Sequence, residues 1–374
     1  MHRIFYNYEE TKLFIAHPDI TNIFILFLLV SFSLLFIRRD EAASAFLDRV
    51  QTNQLKGIAI FLVIPGHLWI HVSEDIPPII FSGDAVALFL LLSGYGLTVS
   101  VRKEFPTAQY FFMQRLKRVM MPYWIVTVFL ILLDYIILNR TYFFGDIMLT
   151  LLGININLAT KYIDYVRWYI TLQLLWYCLF YLTNFKTKGA VSLKSLFICA
   201  VLIFFIDYYI THFGWYQIFA FPVGCAIGAY YDKIRSSMFK HLNRYTLFAL
   251  IIIIYSIAYK LYIKDFLELM IPYIALSLMN ECSSILLCGA LIIPIAALGL
   301  KSRYLSVLSF CGIISYELFL LHGAFLIKYN PVITRTSYIP ISISFIVFLT
   351  AITIVSYYAH RIIGRCLKLI PINR

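Results

Sequence analysis

Apolar residues in this chain come in long runs rather than in alternation. Phe24 to Phe36 and Leu196 to Ile206 contain no charged side chain at all. Runs of this length, separated by short polar connections, predict membrane-crossing helices of roughly 20 residues. Eleven crossings are expected, near 20–37, 56–72, 79–99, 119–138, 166–184, 193–210, 214–231, 245–263, 283–300, 304–327 and 337–362. A lipid-exposed backbone must satisfy its own hydrogen bonds, which leaves helices or a closed barrel, and the period-2 pattern of barrel strands is absent. The chain therefore reads as an all-α polytopic membrane protein. The apolar stretch from Asp146 to Asn157 is too short to cross and is expected to be re-entrant or interfacial.

Composition agrees. Hydrophobic residues make up 61% of 374 and charged residues 13%, with a mean hydropathy of +0.84. The formal charge of +12 does not point to nucleic acid, because no long basic block exists to track phosphates. Topology explains it. Assigning alternate connections to opposite sides places 22 of the 31 lysines and arginines on one side and 9 on the other. By the positive-inside rule the richer side, with 38–56, 100–118, 185–194, 232–244, 301–303 and the tail after 360, is cytoplasmic. The opposite connections carry Glu74, Asp75, Asp146, Asp164, Asp265, Glu268 and Glu281 instead. The N-terminus is then expected outside and the C-terminus inside.

The first apolar stretch ends in Arg38-Arg39 rather than a small-residue cleavage site, so it reads as a span and not a cleaved signal peptide. No connection exceeds about thirty residues, and no internal repeat stands out. The activity must therefore reside in the bundle, and a transporter built on inverted repeats is disfavoured. The seven cysteines, in or beside apolar runs and without metal spacing, read as small core hydrophobes rather than disulfides.

Ionisable groups inside the apolar runs carry the chemistry. His67 lies deep in LKGIAIFLVIPGHLWIH, eleven residues after Lys56. A buried ionisable group in lipid is costly and marks a functional site by default. At ~1.5 Å per residue the two are about 16 Å apart along the axis, close to half a bilayer core. Lys56 is thus at the cytoplasmic edge and His67 at or beyond the midplane. Pro65 removes one helix hydrogen bond and could open the turn beside His67. His67 and His71 share a helical face, but no third ligand stands at useful spacing and no metal is expected. Arg115 and Arg118 fall one turn apart at another cytoplasmic helix end, ahead of Pro122. Glu317 lies at comparable depth to His67 and could pair with it, either orienting the imidazole or forming a structural salt link. Asp84, Asp134 and Asp207 lie near span ends, within reach of water, and receive no role.

Five segments in order resemble the acyltransferase-3 family: KGIAIFLVIPGH (56–67), a basic residue and a histidine with ten residues between them; GDAVALFLLLSGYGL (83–97), with Ser93-Gly94-Tyr95 near its end; FFMQRLKRVMMPYW (111–124), with Arg115, Arg118 and Pro122; RWYITLQLLWY (167–177); and SYELFLLH (315–322). The resemblance covers about residues 55 to 330. It implies a ten-helix acyltransferase-3-like domain over 55–374, preceded by an extra N-terminal helix and its cytoplasmic connection in 1–54. Two departures are Lys56, where the family usually has arginine, and Pro65-Gly66 before the histidine.

The implied activity is transfer of an acyl group, commonly acetyl, from acyl-coenzyme A to a hydroxyl of an envelope glycan or its lipid-linked precursor, in a bacterial cytoplasmic membrane. Neutral imidazole suits removal of a hydroxyl proton, so His67 is the expected base, or it could attack the thioester and carry the acyl group. Lys56, Arg115 and Arg118 are expected to meet coenzyme A phosphates, the alternative being topology or lipid headgroups. His322 and Tyr316 of the last segment, and Trp168 at an outer helix end, are the expected acceptor contacts, although Trp168 could equally anchor in the interfacial belt. Two rivals remain at this stage: a flippase or transporter for a lipid-linked sugar, and a non-catalytic relative.

Overall fold

The computed structural model describes residues 5–9, 11–39, 46–102, 104–155, 165–185, 187, 190–211, 217–334 and 337–369. They fold almost entirely as helices, in the order α1 (Pro18–Leu35), α2 (Arg49–His67), α3 (Ser82–Val101), α4 (Ala108–Arg115), α5 (Met121–Leu138), α6 (Phe144–Leu151), α7 (Trp168–Asn184) and α8 (Leu193–Ile206). Then come α9 (Ala220–Ala229), α10 (Tyr231–Lys240), α11 (Leu242–Ala258), α12 (Lys264–Met270), α13 (Tyr273–Leu300), α14 (Ser306–Ile313), α15 (Ser315–Ile327) and α16 (Tyr338–Lys368). A short antiparallel ribbon joins β1 (Ile37–Arg39) to β2 (Arg303–Leu305).

Among the described residues, eight helical segments are long and apolar enough to cross a membrane, or nine if the bent α14–α15 pair counts as one span. The expected crossings at 166–184 and 214–231 appear as helices of 17 and 10 residues, and residues 212–216 lie outside the described set. Several helices run past their hydropathy bounds. Ala108–Leu138 is one segment of 31 residues and Tyr273–Leu300 one of 28. This moves Glu281 from an expected outer connection into α13. There it is buried, and its carboxylate accepts the backbone N–H groups of Ile218 and Phe219 at the start of α9. A buried carboxylate is tolerable in that position because it satisfies the unpaired N–H groups of a helix N-terminus.

The short segment α6 behaves as a re-entrant hairpin arm. It leaves the end of α5, yet Tyr123 and Trp124, near the start of α5, donate to its Thr150 and Leu151 carbonyls at 2.7 and 2.6 Å. Its depth is therefore comparable to that of Tyr123, about 22 Å along α5 from Leu138.

The core gathers around α2. It packs on α3, α14 and α15, while α3 in turn packs on α9. Lipid-embedded helices associate through close backbone approach at small residues. A Cβ added at Gly57 would sit 2.0 Å from the Leu308 carbonyl oxygen, and one at Gly312 would sit 1.8 Å from that of Asn53. The α2–α14 crossing therefore has no room for any side chain at either position. Because Gly57 follows Lys56 directly, the same contact fixes the depth at which Lys56 meets its neighbours. The α14–α15 pair bends by 78°, which brings Gly312, Ile313, Ser315 and Tyr316 to one wall of the interior cavity described next.

Candidate active site

A cavity of about 450 Å³ opens among α2, α3, α4, residues 118–119, α7, α14 and α15, within the range of small-molecule sites. Lys56, Arg115 and Arg118 all line it. Arg115 closes α4, and Leu116–Met120 follows as one π-helical turn before Pro122 in the first turn of α5. The Arg115 guanidinium lies over the rings of Phe111 and Tyr177, at 4.8 and 5.3 Å from their centres. Its Nε is buried with no hydrogen-bond partner. Arg115 lines the cavity, and a guanidinium fork there fits a phosphate-bearing ligand.

One wall of the cavity is a hydrogen-bonded chain. Tyr169 Oη donates to Gln173 Oε1 at 2.8 Å, Gln173 Nε2 donates to Ser93 Oγ at 3.0 Å, and Ser93 Oγ meets Tyr177 Oη at 3.4 Å. Ser93 is the serine of the Ser-Gly-aromatic segment. The adjacent Gly94 lets α9 approach, since a Cβ there would meet the Phe221 carbonyl oxygen at 2.2 Å.

The far end of the cavity is aromatic. Phe89, Tyr169 and Phe319 line it, with ring centres 6.4 Å apart for Phe89–Tyr169 and 5.3 Å for Tyr169–Phe319. Beyond this partition stands the imidazole pair. Phe319 touches His322 at 5.9 Å between centres, and His322 faces His67. The column continues through His71, edge-on to His67 at 5.3 Å, to Tyr165, nearly parallel to His71 at 4.9 Å.

His67 Nδ1 and His322 Nε2 are 2.9 Å apart, and their rings are within 13° of parallel. Their tautomers follow from the next bond. His322 Nδ1 lies 3.0 Å from the Leu318 carbonyl oxygen, which can only accept, so Nδ1 carries the proton. In neutral His322, Nε2 is then an acceptor, and His67 must donate to it from Nδ1. The lone pair of His67 is left on Nε2. A second imidazole thus holds His67 in the orientation that a carboxylate provides in Ser-His-Asp sites.

Four expectations change here. Glu317 does not pair with His67: its Oε1 lies 3.1 Å from His360 Nδ1 of α16. The cause is helical phase. Glu317 and His322 are five positions apart, about 140° around α15, whereas Phe319 and His322, three apart, lie within about 60° of each other. His322 is fully buried beside His67 instead of standing nearer the outer surface. Tyr316 lines the cation-bearing cavity, and its hydroxyl donates to the Val119 carbonyl at 2.9 Å. Trp168 packs half-buried at the start of α7 and does not line the cavity; its neighbour Tyr169 does.

The helix stays regular through Pro65, and the turn that departs from it is the next one, Leu68–Val72, which is π-helical just past His67. Such turns often mark functional sites. Asp84 and Asp134 are buried and partnered rather than reaching for water, with Lys260 and Ser284 on Asp84 and with Lys328, Tyr142 and Tyr329 on Asp134.

Sequence reasoning overlooked Gln173, Tyr177 and Phe319. Gln173 carried a usable signal, as a polar amide inside WYITLQLLWY. Phe319 could have been found three residues before His322. No curated protein and no solved structure matches the chain. The family profile described as "Acyltransferase domain" matches residues 49–360. With all five ordered segments inside that match, the chain belongs to the acyltransferase-3 family, and it is a multi-pass membrane acyltransferase.

Proposed function

We propose that the protein is an O-acyltransferase that moves an acyl group, acetyl in the simplest case, from acyl-coenzyme A to a hydroxyl of an envelope glycan or its lipid-linked precursor. The observation that carries this reading is the alignment of a cation-lined cavity, an aromatic partition and a polarised imidazole pair in one column. Coenzyme A phosphates would be held by Arg115, Arg118 and Lys56 at the end that charge bias assigns to the cytoplasm. The pantetheine arm would lie along the cavity, with the thioester directed at Phe319 and Tyr169. Movement of that partition would bring the carbonyl carbon to His67.

The chemistry then balances without a further reactant. His67 Nε2 takes the proton of the acceptor hydroxyl, the hydroxyl oxygen bonds to the thioester carbon, and the carbon–sulfur bond breaks. The thiolate leaves and recovers the proton from His67. His322 accepts the Nδ1–H bond throughout and stabilises the imidazolium as it forms. The proposed setting is a bacterial cytoplasmic membrane, with the acceptor arriving from the side of His71 and Tyr165.

Purified protein in vesicles, given radiolabelled acetyl-coenzyme A and a lipid-linked glycan, should transfer label to the glycan with release of free thiol. Movement of the lipid-linked glycan across the vesicle without thioester turnover would instead make it a flippase, and no turnover of any kind would make it a non-catalytic relative. Arg115→Gln should raise the KM for acetyl-coenzyme A by about tenfold or more, since a hydrogen bond to a charged group contributes about 1.5–3 kcal/mol, with kcat changed less. Arg115→Lys should recover part of the loss. An unchanged KM would remove Arg115 from donor binding.

A further inference from the structure

A second and larger cavity, of about 770 Å³, lies away from the imidazole column. It is a cleft between the extra N-terminal helix α1, the bent helix α14 and the last helix α16. Its walls are apolar, with Leu29, Phe32, Phe310 and Val347 among them, and Arg38 stands at its rim. Most of α1 is uncovered by protein, with 28% of its apolar window buried, so the cleft adjoins the bilayer.

The rim is the unusual part. Arg38 sits on β1, where the register pairs it with Tyr304 and pairs its neighbour Arg39 with Arg303 of β2. Successive strand residues point to opposite faces, so Arg38 turns to the cleft while Arg39 and Arg303 share the other face of the ribbon and add to the positive field. All three arginines are exposed. None of them forms an ion pair with a carboxylate of the described residues. An anion at this rim would neutralise Arg38, and the apolar cleft below it calls for a long hydrocarbon attached to that anion.

We infer that the α1–α14–α16 cleft seats an anionic phospholipid, its acyl chain along Phe32, Phe310 and Val347 and its phosphate on Arg38, within the positive field of Arg39 and Arg303. The arginines belong to the connections that the charge bias places on the cytoplasmic side, where anionic headgroups attract basic residues. The polar groups of the lining are few, chiefly Arg38, Ser306, Thr350 and Thr353. That set suits a phosphate and offers little to recognise a sugar or a nucleobase. In this arrangement the lipid fastens α1 to the catalytic bundle. The inference is independent of the acyl chemistry, because none of these residues touches the cavity that holds Arg115.

The test is lipid retention. Protein purified in mild detergent, washed extensively and examined by native mass spectrometry should keep one phosphatidylglycerol-class lipid per chain. Added phosphatidylglycerol should raise its unfolding temperature, while phosphatidylcholine should not. The triple variant R38Q/R39Q/R303Q should lose retention at least tenfold and lose the thermal response. Thr350→Trp, which fills the cleft but keeps the arginines, should do the same, so a folding defect in the triple variant would not shield the idea. Acetyl transfer should persist in both. Equal retention by wild type and variants, equal response to phosphatidylcholine, or the full response to inorganic phosphate alone would each overturn the inference.

Discussion

His67→Ala should lower acyl transfer by about 10²–10⁴-fold, the range that a positioned general base contributes. The effect should fall on kcat, because His67 lies beyond the aromatic partition and outside the lining of the cavity that holds Arg115. The KM for acetyl-coenzyme A should stay near the wild-type value. His322→Phe should also lower kcat, but by less. It removes the acceptor that fixes the His67 tautomer at 2.9 Å while leaving the base itself in place. Without that acceptor, neutral His67 can carry its proton on either nitrogen, and part of the population then presents no lone pair to the acceptor hydroxyl. The double variant should resemble His67→Ala alone, since two residues that act as a unit are not additive. Membranes with matched expression, assayed with radiolabelled acetyl-coenzyme A, give the comparison. Full transfer by His67→Ala would refute the base, and losses that multiply in the double variant would refute the pairing.

The fold class was legible because a lipid solvent leaves so few options, and long apolar runs then read almost directly as helices. Helix ends were less legible, for a reason visible at Glu281 and Arg115. Hydropathy windows stop at a charge, yet both charges lie within continuous helices because the protein interior supplies a partner or a cavity. The cation-lined end of the site could be found from the sequence, as Lys56, Arg115 and Arg118 each border an apolar run and meet in one cavity. What joined His67 to its partner was harder. Depth along α15 favoured Glu317 and put His322 nearer the outer surface, and the rotation of α15 against α2 reversed the two. Rotation is set by packing, here the bend at Ile314 and the close Gly57 and Gly312 contacts, and a single helix's pattern does not contain it.

The same limit applied to Asp134, which looked able to reach water and instead anchors a buried network. Asp134 Oδ2 lies 2.9 Å from Lys328 Nζ, and both side chains are nearly inaccessible, at 1% and 2%. Tyr142 and Tyr329 also donate to this carboxylate. Burial, together with the bond to Asp134, pushes both phenols above their ordinary pKa, so both remain protonated donors. The network extends to the N-terminal segment, where Glu9 meets Arg140 at 2.9 Å and Lys328 at 4.0 Å, while Tyr6 pairs with Asn330. Asp134→Ala strands the ammonium of Lys328 and two phenols in a dry site. Removing one partner of a buried pair costs about 3–5 kcal/mol, and the residual approach of Glu9 places the expectation near the lower figure. The unfolding midpoint of the detergent-solubilised protein should drop well below the wild-type value. Pairing Asp134→Leu with Lys328→Met should recover most of that loss, because two apolar groups of similar size leave no charge uncompensated. A double variant as unstable as Asp134→Ala would mean that the tyrosines and the N-terminal segment, and not the ion pair, hold this end of the bundle together.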